Sequence, residues 1–269
     1  MTAKTKALTI ELTDRVVIVT GGSEGIGAAI AKAAAQCGAK VAVVSRDQDD
    51  LQEIVDEIEA AGGEAMWATA DVAIAGEVEA AIQKVLKKWK RIDCLVANAG
   101  TNGTWAPIDE LTPEDWHKTI DVNLTGTYLC IHHCVPLMRN QGGGSIVIIS
   151  SINGTRTFSN EGASAYASSK AGQLALGKML ALELAPSQIR VNVICPGAIK
   201  SAIHKKTERS NLKSIETPVV FPAGNIPLTG GKMGTPDQVA ALAVFLLSDL
   251  ANHITGTPVW VDGGQSLLM

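Results

Sequence analysis

Val16-Val17-Ile18-Val19-Thr20-Gly21-Gly22-Ser23-Glu24-Gly25-Ile26-Gly27 decides how this chain folds. Its first five residues are all β-branched, as in a strand covered on both faces of a parallel sheet. The run stops at a glycine-rich turn, Ala28–Cys37 then reads as a helix capped by Gly38, and Val41–Val44 reads as a second strand. Strand, glycine turn, helix and strand make the opening unit of a dinucleotide site. Glycines let backbone approach a pyrophosphate, whose charge then lies at a helix N-terminus. The loop running from Gly21 through Ser23, Glu24, Gly25 and Ile26 to Gly27 is therefore the expected cofactor segment. Its spacing, Gly-x-x-x-Gly-x-Gly, is neither the Gly-x-Gly-x-x-Gly fingerprint nor a P-loop, and a tight turn without ligand is the competing reading.

Working outward, Ser45-Arg46-Asp47 follows the second strand, and Arg46 lies 19 positions after Gly27. Near that distance an acid binds a ribose 2′-hydroxyl, whereas a guanidinium suits a 2′-phosphate, so NADP(H) is favoured over NAD(H). Glu24 and Asp47 argue the other way, and Arg46 could also be a solvated turn residue. Leu51–Ala61 and Gly76–Trp89 are amphipathic helices that flank a strand at Ala65–Ala70. That strand closes on Asp71-Val72, where Asp71 is either a turn acid or an adenine contact. Cys94–Ala97 is a fourth strand, broken by Asn98-Ala99-Gly100.

The 269 residues are 46% hydrophobic and 19% charged, an ordinary globular balance with room for one large α/β core. A net charge of −4 argues against nucleic acid or an anionic membrane surface as partner, and the apolar run Val239–Leu247 is too short to span a bilayer. Residues 1–11 read as an N-terminal extension without the features of a signal peptide. The five cysteines form no Cys-x-x-Cys, which points to reduced thiols in a cytoplasmic protein without a metal site.

The second half holds Tyr166-Ala167-Ser168-Ser169-Lys170 at the head of an alanine- and leucine-rich helix. A spacing of four puts phenol and ammonium on one helix face. Bringing a tyrosine from its usual pKa near 10 to neutrality takes roughly 4 kcal/mol, and a nearby cation in a partly dry cleft supplies most of that. The pair can therefore serve as a general acid/base, although an isolated Tyr-x-x-x-Lys is more often a solvated pair. Thr112-Pro113-Glu114-Asp115 starts a long helix that runs to about Arg139 and carries Asn123. Ser145–Ile149 is a strand ending in Ser150-Ser151, Val191–Cys195 a sixth, and Thr257–Val261 a seventh; Thr235 and Gln238 form a capping box.

In this order, Thr-Gly-x-x-x-Gly-x-Gly, Asn-Ala-Gly, a lone Asn, a Ser and Tyr-x-x-x-Lys, the chain resembles the short-chain dehydrogenase/reductase family from about Leu12 to Gly264. The resemblance implies a single-domain α/β fold, a doubly wound Rossmann-type sheet of seven parallel strands flanked by helices. It implies a catalytic set of Asn123, Ser151, Tyr166 and Lys170, with Asn123 holding a water relay through a local helix distortion. It places Asn98, Ala99, Gly100, Asp71 and Val72 along the cofactor, and has Lys170 bond the nicotinamide ribose. Pro196, Gly197, Ile199 and Ser201 would cup the nicotinamide. The interval from Ser151 to Tyr166, fifteen positions, is longer than the family usually shows, which leaves Ser151 and Asn153 both open as the carbonyl donor.

The expected activity is NADP(H)-dependent interconversion of a secondary alcohol and a ketone, with Tyr166 moving the proton. Residues 200–234 read as a substrate lid, including His204, Lys205, Lys206, Val219, Val220 and Phe221. The partner is then a small carbonyl or alcohol substrate, in an assembly that the resemblance makes a homotetramer. A 3-oxoacyl-[acyl-carrier-protein] reductase and a non-catalytic NADPH-sensing protein are the alternatives.

Overall fold

The computed structural model describes residues 9–201, 207–216 and 225–268; His204, Lys205, Lys206, Val219, Val220 and Phe221 lie outside them. In chain order the elements are β1 (Val16–Thr20), α1 (Gly25–Gln36), β2 (Lys40–Ser45), α2 (Gln48–Ala60), β3 (Glu64–Thr69), α3 (Ala75–Trp89), β4 (Cys94–Ala97) and β5 (Thr104–Trp105). There follow α4 (Pro113–Ile120), α5 (Gly126–Asn140), β6 (Gly144–Ile149), α6 (Ser164–Leu184), β7 (Ile189–Pro196), β8 (Glu208–Arg209), α7 (Pro236–Leu247) and β9 (Pro258–Val261).

Seven strands form one sheet in the order β3-β2-β1-β4-β6-β7-β9, and every pairing is parallel. The fold is the single-domain doubly wound α/β architecture that the resemblance implies. All five residues of β1 are buried, because helices cover both sheet faces. Alternate residues feed opposite cores. Val17, Val19, Val41 and Val43 pack with α1, α2 and α7, while Val16, Ile18, Ala42 and Val44 pack with α3, α5 and α6. Burying each such side chain is worth about 1.5–3 kcal/mol, several times the helix propensity of any single residue, so the sheet fixes where the helices lie. Leu12 is fully buried and donates its N–H to the Cys37 carbonyl at 2.8 Å, which anchors the start of the domain.

The strand order reverses between β1 and β4, and it is outside the C-terminal ends of these strands that an open α/β sheet leaves a crevice. Several boundaries differ from the sequence reading; α2, for instance, begins at Gln48 rather than Leu51. α1 begins at Gly25 rather than Ala28, so the last two glycines of the loop lie in its first turn. The long helix after Thr112 carries the local distortion that the resemblance implies: Asp121–Thr125 forms a π-helical turn between α4 and α5. Such turns cluster at functional sites, and this one holds Asn123.

Candidate active site

Gly21 adopts φ +61°, a left-handed conformation that favours glycine. A Cβ on Gly27 would fall on the Gly21 carbonyl oxygen, so the loop folds back against its own helix. Gly21 N donates to the Val44 carbonyl at 2.8 Å, which ties the loop to the end of β2 two residues before Arg46. A Cβ on Gly25 would lie 3.5 Å from Ser201 Cβ, so the loop and the turn after β7 face one another. The Asn98 amide donates to the carbonyls of Thr20 at 2.9 Å and Gly21 at 3.1 Å, and this side chain thus braces the loop.

At the end of β2, Asp47 and Arg46 have different surroundings. The Asp47 carboxylate caps α2, accepting from the N–H groups of Asp49 at 3.0 Å and Asp50 at 3.2 Å. Arg46 is exposed beside it. The Asp71 carboxylate accepts from Ala73 N at 3.0 Å within its own turn, and Val72 is buried against Gly126. Past β7, Lys200 N donates to Gly234 O and Gly234 N to Ala198 O, each at 3.0 Å, and the Ile199 side chain is buried. Ala198 N donates to Gln265 Oε1 at 2.9 Å, and Gly197 N to Val261 O at 3.0 Å, fixing this turn to the C-terminal segment.

The structure brings Asn123, Ser151, Tyr166 and Lys170 to one buried cluster; their exposures are 0%, 7%, 9% and 4%. Lys170 Nζ lies 5.6 Å from the centroid of the Tyr166 ring, on the next turn of α6. Burial pushes the Tyr166 phenol up, and a hydrogen bond with the Ser151 side chain acts in the opposite sense. Burial pulls the Lys170 ammonium down to about 8. The phenol is therefore not lowered as the sequence argument expects. A charge at about this separation is worth roughly 3 kcal/mol at an effective dielectric near 20. Loss of water from around the phenolate is the largest influence on the phenol.

Ser151 Oγ accepts from Asn153 N at 3.1 Å. The Asn153 side chain turns away from this pair and accepts from Asn160 Nδ2 at 2.6 Å. The residues that lengthen this loop coil into a turn in which Thr155, Arg156 and Thr157 all donate backbone N–H groups to Ile152 O. Asn123 Nδ2 donates to Thr101 O and Ser169 Oγ, both at 2.9 Å, and its Oδ1 accepts from Thr101 N at 2.7 Å. The asparagine side chain thus fastens the π-turn to the loop after β4.

Over this cluster, β5 pairs with β8, so part of the sequence-read lid is seated on the Thr101–Pro107 loop. Asn102 Nδ2 donates to Thr207 Oγ1 at 2.7 Å, and Ser210 N to Trp105 O at 3.0 Å. The Trp105 ring stands 6.5 Å from the Tyr166 ring, with the Arg209 guanidinium 5.6 Å from the indole. Sequence reasoning passed over Gln173, a fully buried amide that accepts from Lys170 Nζ at 3.0 Å. Its signal was available: it lies three residues after Lys170, on the same helix face.

Among the described residues no group of acidic, histidine and cysteine side chains could hold a metal, and no helix is long and apolar enough to cross a membrane.

Fold, glycine loop and buried Tyr-Lys pair together define a nicotinamide-type oxidoreductase scaffold, and the comparisons agree. The family profile described as enoyl-(acyl carrier protein) reductase matches residues 21–266. A 3-oxoacyl-[acyl-carrier-protein] reductase of Thermotoga maritima is 36% identical over 255 residues, covering 95% of this chain and 99% of that protein. Human dehydrogenase/reductase SDR family member 4 is 37% identical over 259 residues, covering 94% of this chain and 88% of its own length. Among solved structures, a 3-ketoacyl-ACP reductase from Sinorhizobium meliloti 1021 superposes with a TM-score of 0.91 at 46% identity, covering 94% of this chain and all of the other. The chain belongs to the short-chain dehydrogenase/reductase family.

Proposed function

We propose that this protein is an NADP(H)-dependent oxidoreductase that interconverts a secondary alcohol and a ketone, with Tyr166 as general acid and base. The observation that carries it is the seating of Tyr166 and Lys170 one turn apart in a buried cleft, with the Ser151 side chain close enough to favour the phenolate. Bound NADP(H) supplies or accepts the hydride.

The chain's own groups supply the rest. Burial keeps Tyr166 protonated at neutral pH, the state that can give a proton to a carbonyl oxygen. Lys170, with a pKa of about 8, is mostly a cation at pH 7 and favours the phenolate left behind. Ser151 is the better carbonyl donor, since its hydroxyl lies near enough to the phenol to favour the phenolate, whereas Asn153 is anchored through its carbonyl oxygen to Asn160. Asn123 acts by holding the loop after β4 against α6 rather than by touching substrate. The glycine loop, Asn98–Gly100 and the Pro196–Ser201 turn line the cofactor crevice. Arg46 takes the 2′-phosphate, because the neighbouring Asp47 carboxylate is committed to capping α2 and does not compete for a ribose hydroxyl.

On this reading residues 12–269 form the catalytic domain and 200–234 its lid, of which 207–216 rests against the β5 loop. Assembly as a homotetramer through the outer faces of α5 and α6 fits the exposed Tyr128, Met179 and Leu182 there, and light scattering after gel filtration checks it. Free, mostly buried cysteines fit the cytoplasm.

A second reading, a 3-oxoacyl-[acyl-carrier-protein] reductase, is favoured by the likeness to the 3-ketoacyl-ACP reductase and by the exposed cations Arg209 and Lys213 at the lid. One experiment addresses both. NADPH and NADH oxidation is followed with a panel of ketones and a 3-oxoacyl thioester, for wild type and Tyr166→Phe. Turnover by wild type that disappears in Tyr166→Phe while NADPH still binds supports the acid/base role, and the accepted substrate separates the two readings. Tight NADPH binding without turnover of any compound points to a sensor instead.

A further inference from the structure

Gln173 is completely buried on α6. A leucine would fill such a place at no polar cost, so a primary amide there must be repaid by partners for both ends. All are present. Gln173 Oε1 accepts from Lys170 Nζ at 3.0 Å, and its Nε2 donates to the main-chain carbonyl of Asn123 and to Thr127 Oγ1, both at 2.8 Å. The Thr127 hydroxyl donates in turn to the same Asn123 carbonyl at 2.7 Å. That carbonyl, in the π-turn, thus accepts from two side chains, the Gln173 amide and the Thr127 hydroxyl. The Gln173 amide spans the gap from that carbonyl to Lys170.

The consequence falls on Lys170. Of its three ammonium protons, one goes to Ile149 O at 3.0 Å and one to Gln173 Oε1. The third has no protein acceptor among the described residues. The titratable groups that face Lys170 are Tyr166 on α6 and Cys195 on β7, and burial holds both neutral at pH 7. Its other neighbours, Ile149 and Ser150 at the end of β6, Gly100 after β4 and Asn123 in the π-turn, carry no charge. The ammonium is therefore stabilised by two neutral oxygens, of which Gln173 supplies one.

We infer that Gln173 is a positioning residue for Lys170: it holds the ammonium charged and, through Asn123 and Thr127, fixes its direction so that its one uncommitted proton is left for the cleft beside Tyr166. The inference deepens the acid/base reading above and rests on it for its catalytic meaning, but the grip on Lys170 is testable without turnover.

The test is an NMR titration of the Lys170 Cε resonance in apoprotein labelled with [6-13C]lysine, assigned by its loss in Lys170→Arg. Wild type is compared with Gln173→Met, which keeps the volume and removes the acceptor, and Gln173→Glu, which supplies a charged one. The Lys170 pKa is expected to fall by about one unit in Gln173→Met, the worth of one hydrogen bond to a charged group, and to rise in Gln173→Glu. The alkaline limb of kcat should move the same way in each variant, with KM for NADPH changed less than kcat. Lys170 titrating alike in wild type and either variant overturns the inference, and one folded variant suffices for this. Wild type that turns over no ketone would instead sink the acid/base reading, with the NMR result standing independently.

Discussion

Thr20 and Asn98 tie β1 to β4 where the strand order reverses. Asn98 Nδ2 donates to the Thr20 carbonyl at 2.9 Å, while Thr20 Oγ1 accepts the backbone N–H groups of Asn98 and Ala99, each at 3.1 Å. The hydroxyl is buried, so no water replaces it. Thr20→Val keeps the shape but strands the Ala99 N–H, while Asn98 N retains only its second acceptor, the Val96 carbonyl at 3.1 Å. It should cost about 1–3 kcal/mol in urea unfolding and weaken NADPH binding, whereas Thr20→Ser should be nearly neutral. Equal stability of the Val and Ser variants would refute the tie.

The two later glycines of the loop should respond differently to alanine. At Gly27 a Cβ meets the Gly21 carbonyl and, at 2.6 Å, the Asn98 amide, neither of which can withdraw without opening the loop. Gly27→Ala is expected to lose about 2 kcal/mol or more and at least tenfold in NADPH affinity. At Gly25 the nearest atom is 3.5 Å away, and only the left-handed φ of +55° opposes a side chain, a cost of about 1–2 kcal/mol. Calorimetry and fluorescence titration of both variants check the order.

On the proposed function, coenzyme preference and helix capping should separate at the end of β2. Arg46→Ala should raise KM for NADPH about tenfold or more and leave NADH unaffected, since a 2′-phosphate loses a charge-assisted contact. Asp47→Ala removes the α2 cap and should cost about 1 kcal/mol of stability without altering the NADPH to NADH ratio. A shifted ratio in Asp47→Ala would show that the carboxylate also reads the ribose.

Lys170 also leaves a mark on stability as a function of pH. Its folded pKa of about 8 lies below the ordinary 10.5, so between these values the unfolded chain binds more protons and stability rises with pH. The gain is about 3 kcal/mol across that window. Cys94 and Cys130, held near 12 by burial, act oppositely above pH 9, because there the unfolded chain ionises first. Subtracting the curve of Lys170→Met from that of wild type cancels the thiols. The difference should climb between pH 8 and 10.5 and be flat below; a flat difference throughout would mean that Lys170 is not dehydrated.

The local sequence determined the seven strands of the main sheet, the glycine loop and the order of the helices. An uninterrupted β-branched run such as Val16–Thr20 has few other uses than a doubly covered strand, and Thr235 with Gln238 caps its helix whatever the rest of the chain does. The same holds for the pairing of Tyr166 with Lys170, which helix geometry imposes. Tertiary structure decided the rest, because those outcomes depend on which groups are deprived of water and which distant atoms replace it. Burial raised the phenol that a nearby cation alone would lower. The demand of Asp49 and Asp50 for a cap engaged the Asp47 carboxylate, and Asn160 anchored the Asn153 side chain through its carbonyl oxygen. Gln173 gained its meaning only when the π-turn brought the Asn123 carbonyl to it from 50 residues away along the chain.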